Sequence, residues 1–199
     1  MPVCAYSTDI AGRINSNAAC ETGLAEGTPV ITGTGDSTAE AISVGLVKPG
    51  TAFFQYGSSM FFYYCIERPV QAYNSVNGHG SIKSSKFFTV PDTFCIGDGT
   101  NAAGTLTRWM RDTFYEKELN EESSNGGENA YAIMAREAAQ ISPGCDGLMM
   151  LPYIYGERSP IQDPNARGIL AGLSGKHDRR HINRAALESV GYYTLQHMM

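Results

Sequence analysis

Apolar residues keep two different rhythms along this chain. Within 51–67, TAFFQYGSSMFFYYCIE, mostly aromatic and other apolar residues stand on both sides of Gly57-Ser58-Ser59. That pattern predicts two strands folded about a tight turn. Within 100–119, TNAAGTLTRWMRDTFYEKEL, the apolar residues Leu106, Trp109, Met110 and Phe114 recur at helical intervals. They line one face of a helix that is expected to run through the whole stretch, with Thr100 or Asn101 near its cap.

The remaining elements follow from the same signals. SNAACET, 16–22, reads as a short helix capped by Ser16 and stopped at Gly23. Residues 28–33 read as a strand, and STAEAISVGLV, just after Asp36, as a helix with an apolar face. Lys48-Pro49-Gly50 is a turn, and further strands are expected near 70–75 and 86–96, with the Gly/Ser/Asn-rich NSVNGHGS between them. NEESSNGGEN, 120–129, reads as a loop, and AYAIMAREAAQI as a helix ended by Ser142-Pro143-Gly144. GLMMLPYIY is a short buried strand, GERSPIQDPNARG a polar loop, ILAGL another strand, and a last helix runs from about Asp178 to the final residue. The fold class this order implies is α/β, a β-meander followed by helices alternating with strands.

Composition narrows the function classes. A net charge of −5, with 42% hydrophobic and 18% charged residues, describes an ordinary globular chain. Without clustered Lys and Arg it offers no surface for a nucleic-acid backbone. No stretch reaches the ~18 apolar residues of a membrane span, and MPVCAYSTDIAGR lacks the basic and apolar regions of a secretory signal. Cys4, Cys20, Cys65, Cys95 and Cys145 are scattered, with no CxxC pair. They read as reduced thiols of a cytoplasmic protein, acting as small buried hydrophobes. His177 and His181 share an HxxxH spacing but lack the Glu of HExxH and a third ligand, so they read as a solvated pair near a helix start. No metal site made by the protein alone is expected.

Asp36 stands in ITGTGDSTAE, 31–40, a carboxylate at a strand end among small residues. Three readings are open. A dinucleotide fingerprint would need a glycine where Thr38 stands and an acidic residue about twenty positions on, where FFQYGSS has none. A helix cap would have the side chain accept from the amides near Thr38 and Ala39. A general base would use the open surroundings to reach a substrate hydroxyl. The last reading asks for phosphate donors elsewhere, and the Gly57-Ser58-Ser59 turn can supply amides and hydroxyls.

Several segments carry a resemblance: GLAEGTPVITGTGDSTAEAISVG, GTAFFQYGSS, and above all LPYIYGERSPIQDPNARGILAGL followed by HINRAALESV. They resemble the FGGY carbohydrate kinases. Gly168, Leu170, Gly172 and Leu173, then His181, Ile182, Ala185, Ala186, Leu187 and Glu188, fit the family's second signature. Within the family the GERSPIQDPNARG block is most similar to xylulokinases, with gluconokinases next.

The resemblance implies an actin-like ATPase (ribonuclease H-like) fold of two α/β domains closing on a cleft. Residues 1–45 would be the end of the first domain and 46–199 most of the second, nucleotide-binding domain. It further implies that Asp36 is the catalytic base and that Gly57, Ser58 and Ser59 hold the β- and γ-phosphates of ATP. Gly104 would let the nucleotide lie close to a helix start, and Arg108 would pair with phosphate or face solvent. ATP with Mg²⁺ and a sugar, a pentulose such as xylulose or gluconate, are the implied ligands; a homodimer is compatible with it.

Glu157-Arg158 and Asp163 with Arg167 are expected to pair with each other and shape a hinge. Neither a DxGT-like loop before Asp36 nor a glycine-rich segment after the last helix is seen, so the chain is expected to be an internal piece of a kinase, inactive alone. Two function classes remain: a sugar kinase represented by this piece, or a non-catalytic nucleotide-binding or assembly module.

Overall fold

A computed structural model of the chain describes residues 5–71, 73–74, 81–82, 85–159 and 161–198. Cys4 and most of NSVNGHGS lie outside them. The chain forms two compact units: 1–53, 62–76 and 81–97 make the first, and 54–61, 77–80 and 98–199 the second.

In the first unit, β1 (Ile10–Arg13) and β2 (Pro29–Ile31) pair antiparallel, Ile10 facing Ile31, across α1 (Ser16–Thr22). The cap of α1 is Asn15 rather than the expected Ser16: its side chain accepts from the Ala18 amide at 2.9 Å. Gly23 ends the helix with φ 75°, a left-handed turn that glycine adopts without cost. Helix α2 (Asp36–Ser43) follows and buries Ala41. Ala41, Leu46, Cys65, Phe88 and Cys95 form this unit's core, with Phe53, Tyr63 and Val90 packed around them. Burial pushes the Cys65 thiol up and takes that of Cys95 up to about 11, so both behave as the small hydrophobes expected. Cys20, by contrast, is exposed.

The expected hairpin is present as β3 (Ala52–Tyr56) and β4 (Met60–Ile66). Short strands β5 (Tyr73–Asn74) and β6 (Ser81–Ile82) pair antiparallel. Then β7 (Lys86–Phe87) and β8 (Phe94–Thr100) complete a four-stranded sheet of order β3-β4-β8-β7. Strands were expected over 70–75 and 86–96; the second splits in two, since Asp92 takes φ 58° in the turn between them.

The second unit is mainly helical. The single helix expected over 100–119 is two, α3 (Gly104–Phe114) and α4 (Glu116–Asn125), broken at Tyr115 with φ −131° and ψ 27°. Tyr115 is wholly buried, donates its hydroxyl to Glu137 at 2.9 Å and lies 4.2 Å below the Arg179 guanidinium. Those contacts outweigh helix propensity at one position. Helix α4 also occupies much of the expected loop; Glu116 and Glu118 favour its positive N-terminus, and Gly126 ends it at φ 64°.

Helix α5 (Ala130–Ala139) is capped by Asn129, whose side chain accepts from Ala132. A 3-10 turn (Cys145–Gly147) leads to β9 (Met149–Leu151), which pairs antiparallel with β10 (Ile169–Ala171). Helix α6 (Arg179–Met198) buries His181, Asn183, Ala185, Ala186, Ser189 and Tyr193. Leu106, Met110, Met134, Leu148, Met150 and the α6 alanines form the core, and Asn183 ties α6 to the Met134 carbonyl at 2.8 Å. Arg179 bridges Glu118 at 2.8 Å and Glu137 at 2.7 Å, so the charges at this end of α6 are not a plain solvated face.

The His177–His181 pair is likewise not solvated. His181 is buried, 2.8 Å from Asp178, and the Ser174 amide donates to His177 at 3.0 Å. Among the described residues no cluster of three or more His, Cys, Asp or Glu is placed to hold a metal, and no helix is long and apolar enough to cross a membrane.

The end of α6 makes a pH prediction. Hydrogen bonds from Arg180, then from His181, hold the Asp178 carboxyl well below the usual carboxylate range. A carboxyl depressed by folding contributes stability above its unfolded value, about 3.9, and loses it as pH falls through the folded one. The thermal midpoint is therefore expected to drop as pH is lowered below about 4, and Asp178→Asn to flatten that dependence. Circular-dichroism melts from pH 7 to pH 2.5 check both; an unchanged acid limb in the variant rules out Asp178 as a contributor.

Candidate functional site

The turn Gly57-Ser58-Ser59 closes with the Gly57 amide donating to the Ser59 carbonyl at 3.0 Å. Its other carbonyls point at the start of α3. The Gly104 amide donates to Gly57 at 2.9 Å, while Ala103 and Thr105 donate to Ser58 at 3.3 and 2.9 Å. The Thr105 hydroxyl adds a 3.0 Å bond to the same Ser58 carbonyl. A helix start leaves its first amides without partners inside the helix. Here the turn supplies the acceptors, which is why α3 has no side-chain cap and neither Thr100 nor Asn101 acts as one.

Gly104 is what lets the turn come so close. A β-carbon there would lie 2.7 Å from the Gly57 carbonyl oxygen and 3.4 Å from the Ser58 α-carbon, both backbone atoms that cannot rotate away. The close approach this glycine permits is thus to the hairpin itself. Gly57 and Ser58 are exposed and Ser59 half-buried, and among the described residues neither serine hydroxyl bonds to a protein partner. Arg108 lies one turn along α3, exposed, without an ion pair or hydrogen bond among the described residues. The structure therefore joins Gly57, Ser58, Ser59 and Gly104 into one cradle, with Arg108 next on the same helix.

Asp36 belongs to the first unit. It opens α2, with Gly35 as N-cap at φ −70° and ψ 156° and Gly33 at φ 75°. Its carboxyl accepts from the Ser37 amide at 2.7 Å and makes no bond to Thr38 or Ala39. The capping geometry weighed for Asp36 is therefore not the one adopted. The side chain is exposed, beside a glycine at which an added β-carbon would meet nothing within 4 Å.

The polar loop after β9 differs from expectation. Glu157 and Arg158 do not pair with each other, nor does Asp163 with Arg167. Glu157 is 2% exposed, and its carboxyl accepts from the Thr100 hydroxyl at 2.8 Å and from the amides of Arg158 at 2.6 Å and Ser159 at 3.3 Å. Arg158 donates to the Gly99 carbonyl at 3.1 Å, and Arg167 to the carbonyls of Pro164 and Ala166. Asp163 accepts from the Asn165 amide at 2.8 Å. Charges in a Gly/Pro-rich loop found backbone groups nearer than each other. From sequence Thr100 reads as a residue near the helix cap and Glu157 as a partner of Arg158, and their bond to each other was not foreseen; the available signal was the lack of a capping side chain at Ala102-Ala103, directly before α3.

The strand-and-helix frame matches solved sugar kinases. The crystal structure of xylulose kinase from Rhodospirillum rubrum superposes with a TM-score of 0.76 at 27% identity, over 98% of this chain and 36% of that one. The protein is thus of the actin-like ATPase fold in its sugar-kinase form. The model of the FGGY family of carbohydrate kinases, C-terminal domain, matches residues 52–199, and the chain belongs to that family.

Gluconokinase of Bacillus subtilis (strain 168) is 30% identical over 186 residues, which is 94% of this chain and 35% of that protein. Xylulose kinase of Staphylococcus epidermidis (strain RP62A) is 32% identical over 191 residues, 96% of this chain and again 35% of the relative. The chain spans about a third of the length of the curated relatives it matches.

Proposed function

We propose that the chain is the nucleotide-handling part of an ATP-dependent sugar kinase whose acceptor is a pentulose such as xylulose, or gluconate. The observation that supports it is the cradle: a turn with two serine hydroxyls that have no bond among the described residues, locked by its carbonyls onto the start of α3, with Arg108 one turn away. Amides, hydroxyls and a guanidinium around one exposed turn suit phosphate oxygens. In this scheme Gly57, Ser58 and Ser59 hold the β- and γ-phosphates, Gly104 keeps the turn seated, and Arg108 supplies a cation.

Asp36 is the base. It takes the proton of the sugar hydroxyl as that oxygen bonds to the γ-phosphorus; the bond from this phosphorus to the bridging oxygen breaks, and ADP leaves. Residues 1–45 then belong to the end of the sugar-binding domain and 46–199 to the nucleotide domain. Mg²⁺ would enter with the nucleotide and supply neutralisation of the phosphate charge. Free Cys65, Cys95 and Cys145 suit the cytoplasm, where ATP is supplied.

The test is calorimetric titration of Mg·ATP into the 199-residue chain, followed by a sugar panel on the polypeptide that carries it. We expect ATP to bind, inorganic triphosphate to compete, and the segment alone to release no ADP when sugar is added. Absence of ATP binding overturns the proposal. Binding without turnover by the whole polypeptide leaves a non-catalytic nucleotide module.

A further inference from the structure

The segment 156–159 reaches both halves of the cradle, though none of its residues belongs to it. Glu157 holds the Thr100 hydroxyl at 2.8 Å, and the same Thr100 oxygen accepts from the Ala102 amide at 3.3 Å. Ala103, Gly104 and Thr105, whose amides seat the turn, follow directly. On the other side, Arg158 donates to the Gly99 carbonyl and stands over the Phe61 ring at 5.7 Å, one residue after Met60 opens β4 out of the turn. Gly99 is confined between the two: a β-carbon there would fall 2.1 Å from the Met60 carbonyl oxygen and 2.5 Å from the Arg158 guanidinium. Thr100 is fully buried and Glu157 nearly so, so neither can exchange its partner for water without opening the packing.

We infer that Glu157, through Thr100 and assisted by Arg158, is the positioning residue of the phosphate cradle: it sets where the amides of 102–105 stand and hence where the turn presents Ser58 and Ser59. The inference rests on the nucleotide reading of the cradle. Glu157 touches no substrate; it acts through a chain of two hydrogen bonds, from carboxyl to hydroxyl to backbone. A purely structural Glu157 would lower global stability and leave the local exchange of 102–105 and the affinity for phosphate in proportion to it.

Hydrogen exchange and ATP titration on the 199-residue chain separate these cases. Thr100→Val removes the hydroxyl at constant shape, Thr100→Ser retains it, and Glu157→Gln removes the charge and turns one of the two acceptor oxygens, which take the Thr100 hydroxyl and the amides of Arg158 and Ser159, into an NH2 donor. Loss of one partner of a buried hydrogen bond corresponds to about tenfold or more in a local equilibrium. Thr100→Val and Glu157→Gln are therefore expected to speed exchange of the 102–105 amides about tenfold and to weaken ATP by a similar factor, with the α5 and α6 core amides unchanged. Thr100→Ser should restore both to near the parent values.

Faster exchange with unaltered ATP affinity overturns the inference, as does unaltered exchange at 102–105, or exchange that rises equally throughout the second unit. If Thr100→Val does not fold, Glu157→Gln against Thr100→Ser carries the same comparison. Failure of the parent chain to bind ATP would instead strike the nucleotide reading, while the exchange data would still report whether Glu157 positions the helix start.

Discussion

Asp36→Asn, made in the polypeptide that carries this segment, is expected to lower kcat by about 10²–10⁴-fold, the usual span for losing a general base. The affinity for ATP should change little, because Asp36 lies outside the cradle and, among the described residues, makes its side-chain bonds to Ser37. Asn occupies the same volume and still accepts from the Ser37 amide, so the local fold survives. What it lacks is the capacity to take a proton from an attacking hydroxyl. Steady-state kinetics with sugar and ATP varied separately check this split between kcat and KM. A normal kcat would remove Asp36 from the mechanism, and an equal loss of ATP affinity would reassign it to binding.

Gly104→Val should have the second large effect, by a different route. Its β-carbon would meet the Gly57 carbonyl carbon at 3.3 Å as well as the oxygen, so the turn must move off the helix start. Moving it breaks the bonds from Ala103, Gly104 and Thr105 together, because Gly57 and Ser58 are adjacent. Overpacking of this kind costs about 1–3 kcal/mol. ATP binding is expected to fall further than stability does, since the proposed phosphate donors sit on the element that is displaced.

Gly191→Ala is the matching control. An added β-carbon there meets nothing within 4 Å, and its helix should gain about 0.5–1 kcal/mol from losing a glycine. Thermal melts and ATP titration of the two variants side by side decide it. Unimpaired ATP binding by Gly104→Val would mean that the turn is not the phosphate holder.

Much of the frame was legible because it depends on local chemistry. The aromatic strands on either side of Gly57-Ser58-Ser59 specify a hairpin whatever surrounds them. Gly23 stops α1, as its left-handed φ of 75° requires. The apolar stripe of α3 packs as its period demands, with Leu106 and Met110 buried and Trp109 and Phe114 against the same core. The FGGY signature identifies the family from the letters alone, since many spaced positions must match together.

Elsewhere the local signal lost. Periodicity carries one helix through Tyr115, but a buried ring pinned by Glu137 and Arg179 breaks it in two. The polar composition of EESSN reads as loop, yet α4 forms there on its acidic first turn and glycine stop. His181 looks like a surface histidine and is buried beside Asp178.

The candidate site divides in the same way. By itself the sequence determined the residue types, the hairpin turn, the placement of Asp36 between glycines, and the family. Each depends on neighbours within a few positions or on a pattern of letters. Only the tertiary structure decided that the turn's carbonyls replace a helix cap, that Gly104 is small for the hairpin's sake, and that Glu157 holds Thr100. Those facts join residues far apart in the chain, from Ser58 with Ala103 to Thr100 with Glu157. A hydrogen bond across such a separation is set by how strands and helices pack, and propensity at either end carries no trace of it.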